Sequence, residues 1–346
     1  MHPEVSIIVP NYNYGQYLAN CFESILAQTY PKIEVIFRDN NSTDDSMDIA
    51  MSYYKKFKER GIPFVIANNR YNVGSDKNTN MCLNDATGKY QYVLASDDYI
   101  APTFVERCVS IMEKYPNVSM VMTHRIEVNE KGELNETPPF YNRDCIIKGE
   151  DQAAVFMMAG IAIPGQRMGN TALVSKTKKY VRLHSVAGDW YNNFLYSCSG
   201  DIAYITEPLC YYRVHSGNET SVSEDNLIGS FEHYLLLDSF VNIANEMGMK
   251  RPQCRYEEAV RKLGSMCLRY ALKMYENEKT QIAKKYLRLA LVYDESIEER
   301  KEYCLLWNMR NLDGEELKES IFNYKKVYEL NRMISYDPPE GSISIE

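Results

Sequence analysis

Short apolar runs alternate with amphipathic stretches through the first hundred residues of the chain. Runs rich in Val and Ile predict strands that are covered on both faces, whereas apolar residues at helical spacing predict helices. The strands predicted in this way span 5–10, 33–38, 64–67 and 90–95, and the helices span 17–28, a segment that begins at 42–45, and 76–86. This alternation predicts a parallel sheet with right-handed crossovers.

The second half of the chain continues with strands and then changes character. Further strands are predicted at 118–126, 169–174, 202–205 and 209–214, and a helix at Gly188-Asp189. After residue 226 the pattern is almost entirely helical. The chain is therefore divided into 1–122, 123–226 and 227–346. The first two are halves of one α/β domain, the third is a helical region, and residues 337–346 are expected to be frayed.

Charge and motifs exclude several classes of protein. The net charge of −8 argues against a nucleic-acid partner. No Gly-rich dinucleotide or P-loop motif follows the first strand, where the loop reads Asn-Tyr-Asn-Tyr-Gly. The longest apolar run, 153–163, is shorter than the roughly 20 residues that span a bilayer, so membrane contact is expected to be peripheral at most.

Cysteine usage and the start of the chain bear on location. The nine cysteines are dispersed without a C-x-x-C motif, which is typical of a reducing compartment. The sequence runs directly into its first strand, so no secretory signal is expected. The prediction is a cytoplasmic protein, with a peripheral position at the inner face of the membrane as the alternative.

Two adjacent carboxylates, Asp97 and Asp98, follow the strand at 90–95. Ligands of open α/β sheets bind at the carboxyl ends of the strands. Neighbouring carboxylates repel each other unless a cation or a hydrogen-bond donor is present, and Mg²⁺ or Mn²⁺ combines such oxygens with substrate phosphates. The pair predicts a metal–diphosphate site; the alternative is a solvated turn, where Asp is common.

The order and spacing of several short motifs resemble family 2 glycosyltransferases. The motifs are Val9-Pro10-Asn11-Tyr12-Asn13, Asp39-Asn40-Asn41-Ser42-Thr43-Asp44-Asp45-Ser46, Asn72-Val73-Gly74, Ala86-Thr87-Gly88-Lys89-Tyr90, Ser96-Asp97-Asp98, Asp189-Trp190 and Tyr212-Arg213-x-His215. The resemblance implies an α/β protein of the GT-A fold, a nucleotide-diphospho-sugar transferase with a Rossmann-like mixed sheet. It makes 1–122 the nucleotide-sugar-binding half and 123–226 the acceptor-binding half. The α-helical C-terminal extension lies outside the resemblance.

The resemblance also implies which residues form the site. Those implied for nucleotide-sugar binding are Pro10, Tyr12, Asn13, Asp39, Asn40, Asn72, Lys77, Asn80, Ser96, Asp97 and Arg213. Within this set, Asp39 is expected to accept a hydrogen bond from the base and Asp97 to contact the ribose. Mn²⁺ or Mg²⁺ is assigned to Asp98 and His215. The alternative for His215 is a surface histidine, and for Asn13 a simple turn former.

The sequence departs from the family pattern at two positions. Ala95 stands where the family has the leading acid of its Asp-x-Asp element, and Thr79 stands where it often has Arg. Lys77 is the candidate to replace that Arg, with a solvent-facing helix lysine as the alternative. Residues 217–223 are a candidate flap over the donor.

The reaction implied by the resemblance is sugar transfer with inversion. Asp189 is the candidate base that deprotonates an acceptor hydroxyl; its alternative role is to cap the helix before Trp190. The implied donor is a UDP-sugar ahead of TDP- or GDP-sugars. The acceptor is a glycan or a lipid-linked molecule, in bacterial cell-surface polysaccharide or glycoconjugate synthesis.

Three other functions stay open at this point. A non-catalytic protein that binds sugar nucleotides or glycans would explain Ala95 and Thr79. A nucleotidyltransferase is less well supported, because its Gly-rich basic loop is absent after the first strand. The third function is that of an assembly partner, in which the helical region binds other proteins. The same region is the expected surface for any homo-oligomer.

Overall fold

The structure is a computed structural model that describes residues 4–180, 187–215, 225–328 and 334–345. It divides into two compact units. Unit 1 comprises Met1–Phe156, Gly160–His215 and Ile334–Glu346, and unit 2 comprises Met157–Ala159 and Ser216–Met333. The candidate flap at 217–223 lies entirely outside the described ranges, and the division of 1–226 into two halves stays a prediction.

Unit 1 contains eleven strands and seven α-helices among its described residues. The strands are β1 Val5–Asn11, β2 Ile33–Asp39, β3 Phe64–Asn68, β4 Tyr90–Val93, β5 Tyr99–Ile100, β6 Val118–Val128, β7 Leu134–Asn135, β8 Cys145–Ile147, β9 Arg167–Asn170, β10 Asp201–Arg213 and β11 Ile343–Ser344. The helices are α1 Gly15–Leu26, α2 Ser46–Glu59, α3 Ser75–Asp85, α4 Phe104–Lys114, α5 Gly149–Phe156, α6 Thr171–Val174 and α7 Gly188–Ser199.

All these strands join one mixed sheet, in the order β11-β8-β10-β6-β9-β4-β1-β2-β3, with β5 on β10 and β7 on β6. The run β3-β2-β1-β4 is parallel, as the strand–helix alternation predicted. Strand β9 pairs antiparallel with both β4 and β6 and joins the parallel run to the second half of the sheet. The parallel run has its carboxyl ends at one edge, where the loops that follow β1, β2 and β4 meet.

The core of the parallel half explains why these segments form strands and helices. Nearly all residues of β1 and β2 are buried, so both faces of the sheet are covered here. Phe22 of α1 packs edge-on against Phe37 of β2 and Phe57 of α2, with ring centroids 5.6 and 5.8 Å apart. Each such ring contributes about 1.5–3 kcal/mol by burial, so the sheet fixes the strand ends that carry the polar loops.

Three local predictions were wrong in their details. The segment 169–174 splits into the end of β9 and helix α6, because the Asn170 side chain accepts from the N–H groups of Ala172 and Leu173 and caps a helix there. The two strands predicted at 202–205 and 209–214 are one strand, β10. It passes Pro208 through register shifts on either side of that residue, and such bulges accommodate a proline that cannot donate to the ladder.

The third error concerns the last residues, which are not frayed over the described range 334–345. Strand β11 pairs antiparallel with β8 at the edge of the sheet. Upstream of it, the N–H of Tyr336 donates to the carbonyl of Phe140 over 2.8 Å, and the N–H of Asn142 donates back to Tyr336 over 3.0 Å. These residues, 334–345, are called the C-terminal strap below. The hydrophobic pattern of so short a segment carries no signal of its distant partner.

Unit 2 is helical in its described residues, as the sequence predicted. Its α-helices are α8 Ile228–Glu246, α9 Lys250–Cys254, α10 Tyr256–Glu276, α11 Thr280–Tyr293, α12 Lys301–Asn308 and α13 Gly314–Val327. The buried faces of α10 to α13 share one core, in which Tyr275 and Tyr286 are among the largest fully buried side chains. None of the described helices combines the length and the apolar character needed to cross a bilayer.

Candidate active site

The loops after β1 and β2 are held together by one buried carboxylate. Asp39 ends β2 and is fully buried. Its Oδ1 accepts from the amide of Asn11 over 2.8 Å and from the hydroxyl of Ser42 over 2.6 Å, and its Oδ2 accepts from the Ser42 N–H over 2.7 Å. In this structure Asp39 therefore organises the loop, and its contact with a base stays a prediction.

Asn13 connects the same two loops from the outer side. Its backbone has a φ of 56°, a left-handed conformation that asparagine tolerates. Its side-chain oxygen accepts from the N–H of Thr43 over 2.8 Å, and its own N–H donates to the Ser42 hydroxyl. The neighbouring Tyr12 is exposed and Pro10 is half-buried, so both side chains of this loop are open to a ligand.

Four asparagine side chains form a network beside this loop. The Oδ1 of Asn40 accepts from Asn69 over 3.0 Å and from the Val73 N–H over 2.9 Å, and its amide donates to Asn72 over 2.8 Å. Asn69 also donates to Asn78 over 2.8 Å. The structure thus brings the predicted pair Asn40 and Asn72 together and adds two residues that the sequence analysis missed, Asn69 and Asn78.

The remaining predicted residues of this region lie on α3. Lys77 is exposed and Asn80 is half-buried, whereas Asn78 between them is buried in the network. Asn78 falls one turn after the Asn72-Val73-Gly74 motif, and a polar residue on the buried face of a predicted helix was the signal available for it. The roles of Lys77 and Asn80 stay predictions.

The Asp97–Asp98 turn meets the end of β10. Asp98 is 2% exposed, and its Oδ1 accepts from the backbone N–H of Arg213 over 2.8 Å. The Arg213 side chain donates through Nε to the carbonyl of Asp97 over 3.0 Å. His215 Nε2 lies 3.1 Å from Asp97 Oδ2. Ser96 is buried next to the turn, so five predicted residues converge here.

Aromatic rings hold the side chains of His215 and Arg213 in place. The ring of Tyr17 stacks on His215 with centroids 5.4 Å apart, and Tyr14 meets His215 edge-on at 5.3 Å. The guanidinium of Arg213 lies 4.9 Å from the centroid of Tyr17. Cation–π contacts of this kind contribute roughly 0.5–2 kcal/mol. His215 is consequently a buried part of the cluster rather than a surface histidine.

The chemistry of this cluster fits a divalent cation. Burial, reinforced by the charge of Asp97, raises the pKa of Asp98 well above its usual range, and a bound cation would remove that penalty. Within the described ranges, no group of three or more His, Cys, Asp or Glu side chains is arranged to hold a metal alone. Mg²⁺ commonly takes one or two carboxylates and completes its shell with water and substrate phosphates, so a protein donor set as small as Asp98 and His215 is compatible with such an ion.

Asp189 lies in the first turn of α7 beside a buried arginine. Its Oδ1 is 3.5 Å from Nη2 of Arg167, and its side chain is 49% exposed. Surrounding protein raises the pKa of Asp189, although Arg167 opposes this effect. A carboxylate that is enclosed by protein and yet reachable from solvent suits a general base. The N-cap of α7 is Ala187, two residues before Asp189, which argues against the capping role.

Trp190 belongs to the core. It is 6% exposed, and its indole N–H donates to the carbonyl of Phe156 over 2.5 Å. Gly160 packs against the same side chain, since a Cβ there would lie 3.1 Å from the Trp190 Cβ. Trp190 therefore fixes the start of α7 and leaves the neighbouring Asp189 to face outward.

Tyr212 connects the two groups of acids. Burial raises the pKa of its hydroxyl, and the negative charges of Asp98, Asp97 and Asp189 raise it further, while Arg125 lowers it. All three carboxylates therefore act electrostatically on one hydroxyl near the end of β10. The Asp97–Asp98 turn and Asp189 therefore lie within electrostatic range of the same end of β10, and their membership of one site stays a prediction.

Comparison with known proteins relates part of this site to a known family. Residues 6–168, just under half of the chain, match the family described as "Glycosyl transferase family 2". Asp189, Arg213 and His215 lie outside the matched residues. The chain is 28% identical to chondroitin synthase of Escherichia coli over 225 residues, which are 64% of this chain and 30% of that protein. The match therefore spans less than a third of that relative.

Two solved structures have folds similar to that of this chain. S. aureus TarS 1–349, solved in complex with UDP-GlcNAc, has a TM-score of 0.60 and 16% identity, and 99% of both chains is covered. The mannosyltransferase PcManGT from Pyrobaculum calidifontis, solved with GDP-Man and Mn²⁺, has a TM-score of 0.50 and 15% identity, with 95% of this chain and 88% of that chain covered. These likenesses confirm the predicted GT-A fold.

Proposed function

We propose that this protein transfers a sugar from a nucleoside-diphosphate sugar to an acceptor hydroxyl with inversion at the anomeric carbon. The observation that carries the proposal is the arrangement around Tyr212. The Asp97–Asp98 turn, which suits a cation and a diphosphate, and the open carboxylate of Asp189 act on the same hydroxyl. This arrangement supports a single site that holds both the donor and the candidate base, as transfer requires.

The donor's nucleoside is assigned to the loops after β1 and β2. Tyr12 and Pro10 offer open side chains for the base, while Asp39 and Asn13 hold the loop in shape. The asparagine network fixes the segment at Asn72, and Asn80 and Lys77 approach the donor from α3. Because these side chains are already hydrogen-bonded to one another, little ordering is needed when the nucleotide binds.

The diphosphate and the ribose are assigned to the Asp97–Asp98 turn. Asp98 and His215 would hold Mn²⁺ or Mg²⁺, and Asp97 and Ser96 would contact the ribose. When bound, the cation offsets the charge that grows on the departing diphosphate. Arg213 is placed to add a second positive charge there, since its guanidinium is held between the Asp97 carbonyl and the ring of Tyr17.

Asp189 is assigned as the base that removes the proton from the acceptor hydroxyl. The raised pKa of Asp189 makes it a stronger base than an ordinary aspartate. Such a base contributes roughly 10²–10⁴-fold to the rate. Attack on the face opposite the leaving diphosphate gives inversion.

The donor and the pathway are proposals of the same kind. A UDP-sugar is favoured over TDP- and GDP-sugars because the neighbour of higher TM-score, S. aureus TarS, was solved with UDP-GlcNAc. The likeness to a chondroitin synthase supports a role in polysaccharide or glycoconjugate synthesis, with a glycan or lipid-linked acceptor. We place the reaction in the cytoplasm or at the inner membrane face, and any homo-oligomer at the helices of unit 2.

The test combines donor binding with transfer. Thermal shifts are measured with UDP-, TDP-, GDP- and CMP-sugars, with and without Mn²⁺, because a ligand of the folded state raises apparent stability. Asp189→Asn is expected to keep the donor-induced shift and to lose transfer by at least about 100-fold. Asp48→Asn, the same change in the first turn of α2, is the matched control. A protein that only binds the donor would show the shift and no turnover in either variant or in the wild type.

A further inference from the structure

Arg167 is a buried cation whose contacts are directed at the start of α7. It begins β9, and its side chain is 8% exposed. Its Nη1 donates to Asn193 Oδ1 over 2.5 Å and, over 3.4 Å, to the carbonyls of Ala162 and Asp189. Its Nη2 lies 3.5 Å from Asp189 Oδ1. The sequence analysis did not single this residue out.

The position of this guanidinium does not depend on Asp189 alone. Asn193 is fully buried, and its amide donates to the carbonyl of Ala162 over 2.8 Å, so the acceptor that holds Nη1 is itself fixed. A buried charge is costly unless it is well hydrogen-bonded. Here neutral oxygens satisfy Nη1, and Nη2 is left to face the carboxylate.

We propose that Arg167 is a positioning residue that holds the carboxylate of Asp189 in the orientation needed to accept a proton from the acceptor. The inference rests on the proposed function, in which Asp189 is the base. With 8% of its side chain exposed, Arg167 has little surface for a substrate, so its effect on transfer passes through Asp189.

The charge of Arg167 also acts on the protonation of Asp189. Desolvation by the surrounding protein raises the pKa of Asp189, and the guanidinium lowers it. In the part of the chain that the structure describes, the ionisable groups coupled to this carboxylate are Arg167 on β9 and the hydroxyl of Tyr212 on β10. Without the cation, the desolvation would be unopposed, and Asp189 would stay protonated to a higher pH.

The experiment measures pH profiles of transfer for Arg167→Gln, Arg167→Lys and the wild type, with the folded state checked by melting temperature. For Arg167→Gln we expect kcat to fall roughly 10- to 100-fold near neutral pH, donor KM to change less than about twofold, and the acidic limb of the profile to move to higher pH. Arg167→Lys keeps the charge, so its acidic limb is expected near the wild-type position while kcat still falls.

A matched control is Arg300→Gln in unit 2, which removes the guanidinium 2.5 Å from the buried Asp294. It is expected to lower the melting temperature without moving the pH profile. The proposal would be overturned if the acidic limb of the Arg167→Gln profile stayed at the wild-type pH, or if kcat were unchanged. Should Arg167→Gln fail to fold, Arg167→Lys decides, because a wild-type kcat in that variant contradicts a need for the guanidinium.

The proposed function is tested separately from the positioning role of Arg167. If Asp189→Asn transfers sugar at the wild-type rate, the proposed function fails, whatever Arg167 does. If Asp189→Asn is inactive and Arg167→Gln is normal, only the positioning role fails. Adding Arg167→Gln to Asp189→Asn is expected to cost no further residual activity, since a residue that acts through another has no effect once that residue is removed.

Discussion

The backbone N–H of Arg213 donates to Oδ1 of Asp98 over 2.8 Å. This bond joins the turn after β4 to the end of β10, two segments on opposite sides of β6 and β9 in the sheet. An asparagine at position 98 would keep an oxygen for this bond and lose the charge. An alanine would lose both.

Changes at Asp98 should therefore separate stability from donor binding. We expect Asp98→Asn to keep a wild-type melting temperature or exceed it, because a buried carboxylate next to Asp97 is removed. Asp98→Ala should lose about 1–3 kcal/mol, as it leaves the Arg213 N–H unpaired. Both variants should lose the Mn²⁺-dependent part of UDP-sugar binding, measured by calorimetry. Manganese-dependent binding that survives in Asp98→Asn would contradict the metal assignment.

A second carboxylate, Asp44, should make stability depend on pH. Its Oδ2 accepts from the Gly15 N–H over 2.9 Å, and its Oδ1 accepts from the hydroxyl and the N–H of Ser46. Partial burial raises the pKa of Asp44, but the hydrogen bonds from Ser46 and Gly15 outweigh it, so the pKa lies below its usual value. Because the pKa is lowered on folding, the stabilisation is present above about pH 4 and is lost as the pH falls through the folded-state pKa.

The measurement compares Asp44→Asn with the wild type from pH 7 to pH 2.5. We expect the variant to be less stable by about 1 kcal/mol at pH 7 and the difference to shrink below pH 4. Asp45→Asn is the neighbouring control, since the Asp45 side chain makes no capping bond to α2. If the difference in stability between the two proteins grew toward low pH, the predicted direction of the pH dependence would be wrong.

Gly88 of the Ala86-Thr87-Gly88 motif is a packing requirement. Its N–H donates to the Ser6 hydroxyl over 2.8 Å, and a Cβ there would lie 2.7 Å from the Ser6 backbone nitrogen. We expect Gly88→Ala to destabilise the protein by about 1–3 kcal/mol, measured by urea denaturation. The loss should persist in the Ser6→Ala background, because the nearest obstacle is backbone; a full rescue there would assign the clash to the hydroxyl instead.

The C-terminal strap should contribute to the stability of unit 1. Ending the chain after residue 333 removes the β11–β8 ladder and the exchange of backbone hydrogen bonds at Tyr336. We expect a melting temperature several degrees lower and more light scattering, since the edge of β8 would be uncovered. Glu340→Ala, an exposed change within the strap, serves as the control. Unchanged melting and scattering in the shortened chain would show the strap to be dispensable.

Much of the fold was accessible from local pattern. The parallel run and its helices were predicted because β1, β2 and β4 are short apolar segments with one polar loop each. Arg167, Asn69 and the strap were missed for a common reason: their partners are distant in sequence, and an isolated Arg, Asn or Ile-Ser-Ile gives no sign of what it will meet. The break predicted at Pro208 failed because bulges absorb a proline that pattern alone treats as a stop.

For the site residues, the positions were predicted better than the burial and hydrogen bonding of the side chains. Asp97, Asp98, Arg213 and His215 lie together as their motifs predicted, because each follows a strand that ends at the same edge. The sequence did not indicate that Asp39 would be fully buried and would accept hydrogen bonds from Asn11 and Ser42. That outcome depends on the loop conformation at Asn13 and Asn41, whose φ values are 56° and 63°.

The strap has a consequence for biosynthesis. Arg143 and Ser344, which bond across its ladder, are 201 residues apart along the chain. At roughly 5–20 residues per second, a ribosome synthesises Ser344 roughly ten to forty seconds after Arg143. During that interval the nascent sheet presents β8 with its outer hydrogen-bonding groups bare. The charged residues that flank this strand, Arg143, Asp144 and Lys148, are the kind that discourage another polypeptide from docking there in the meantime.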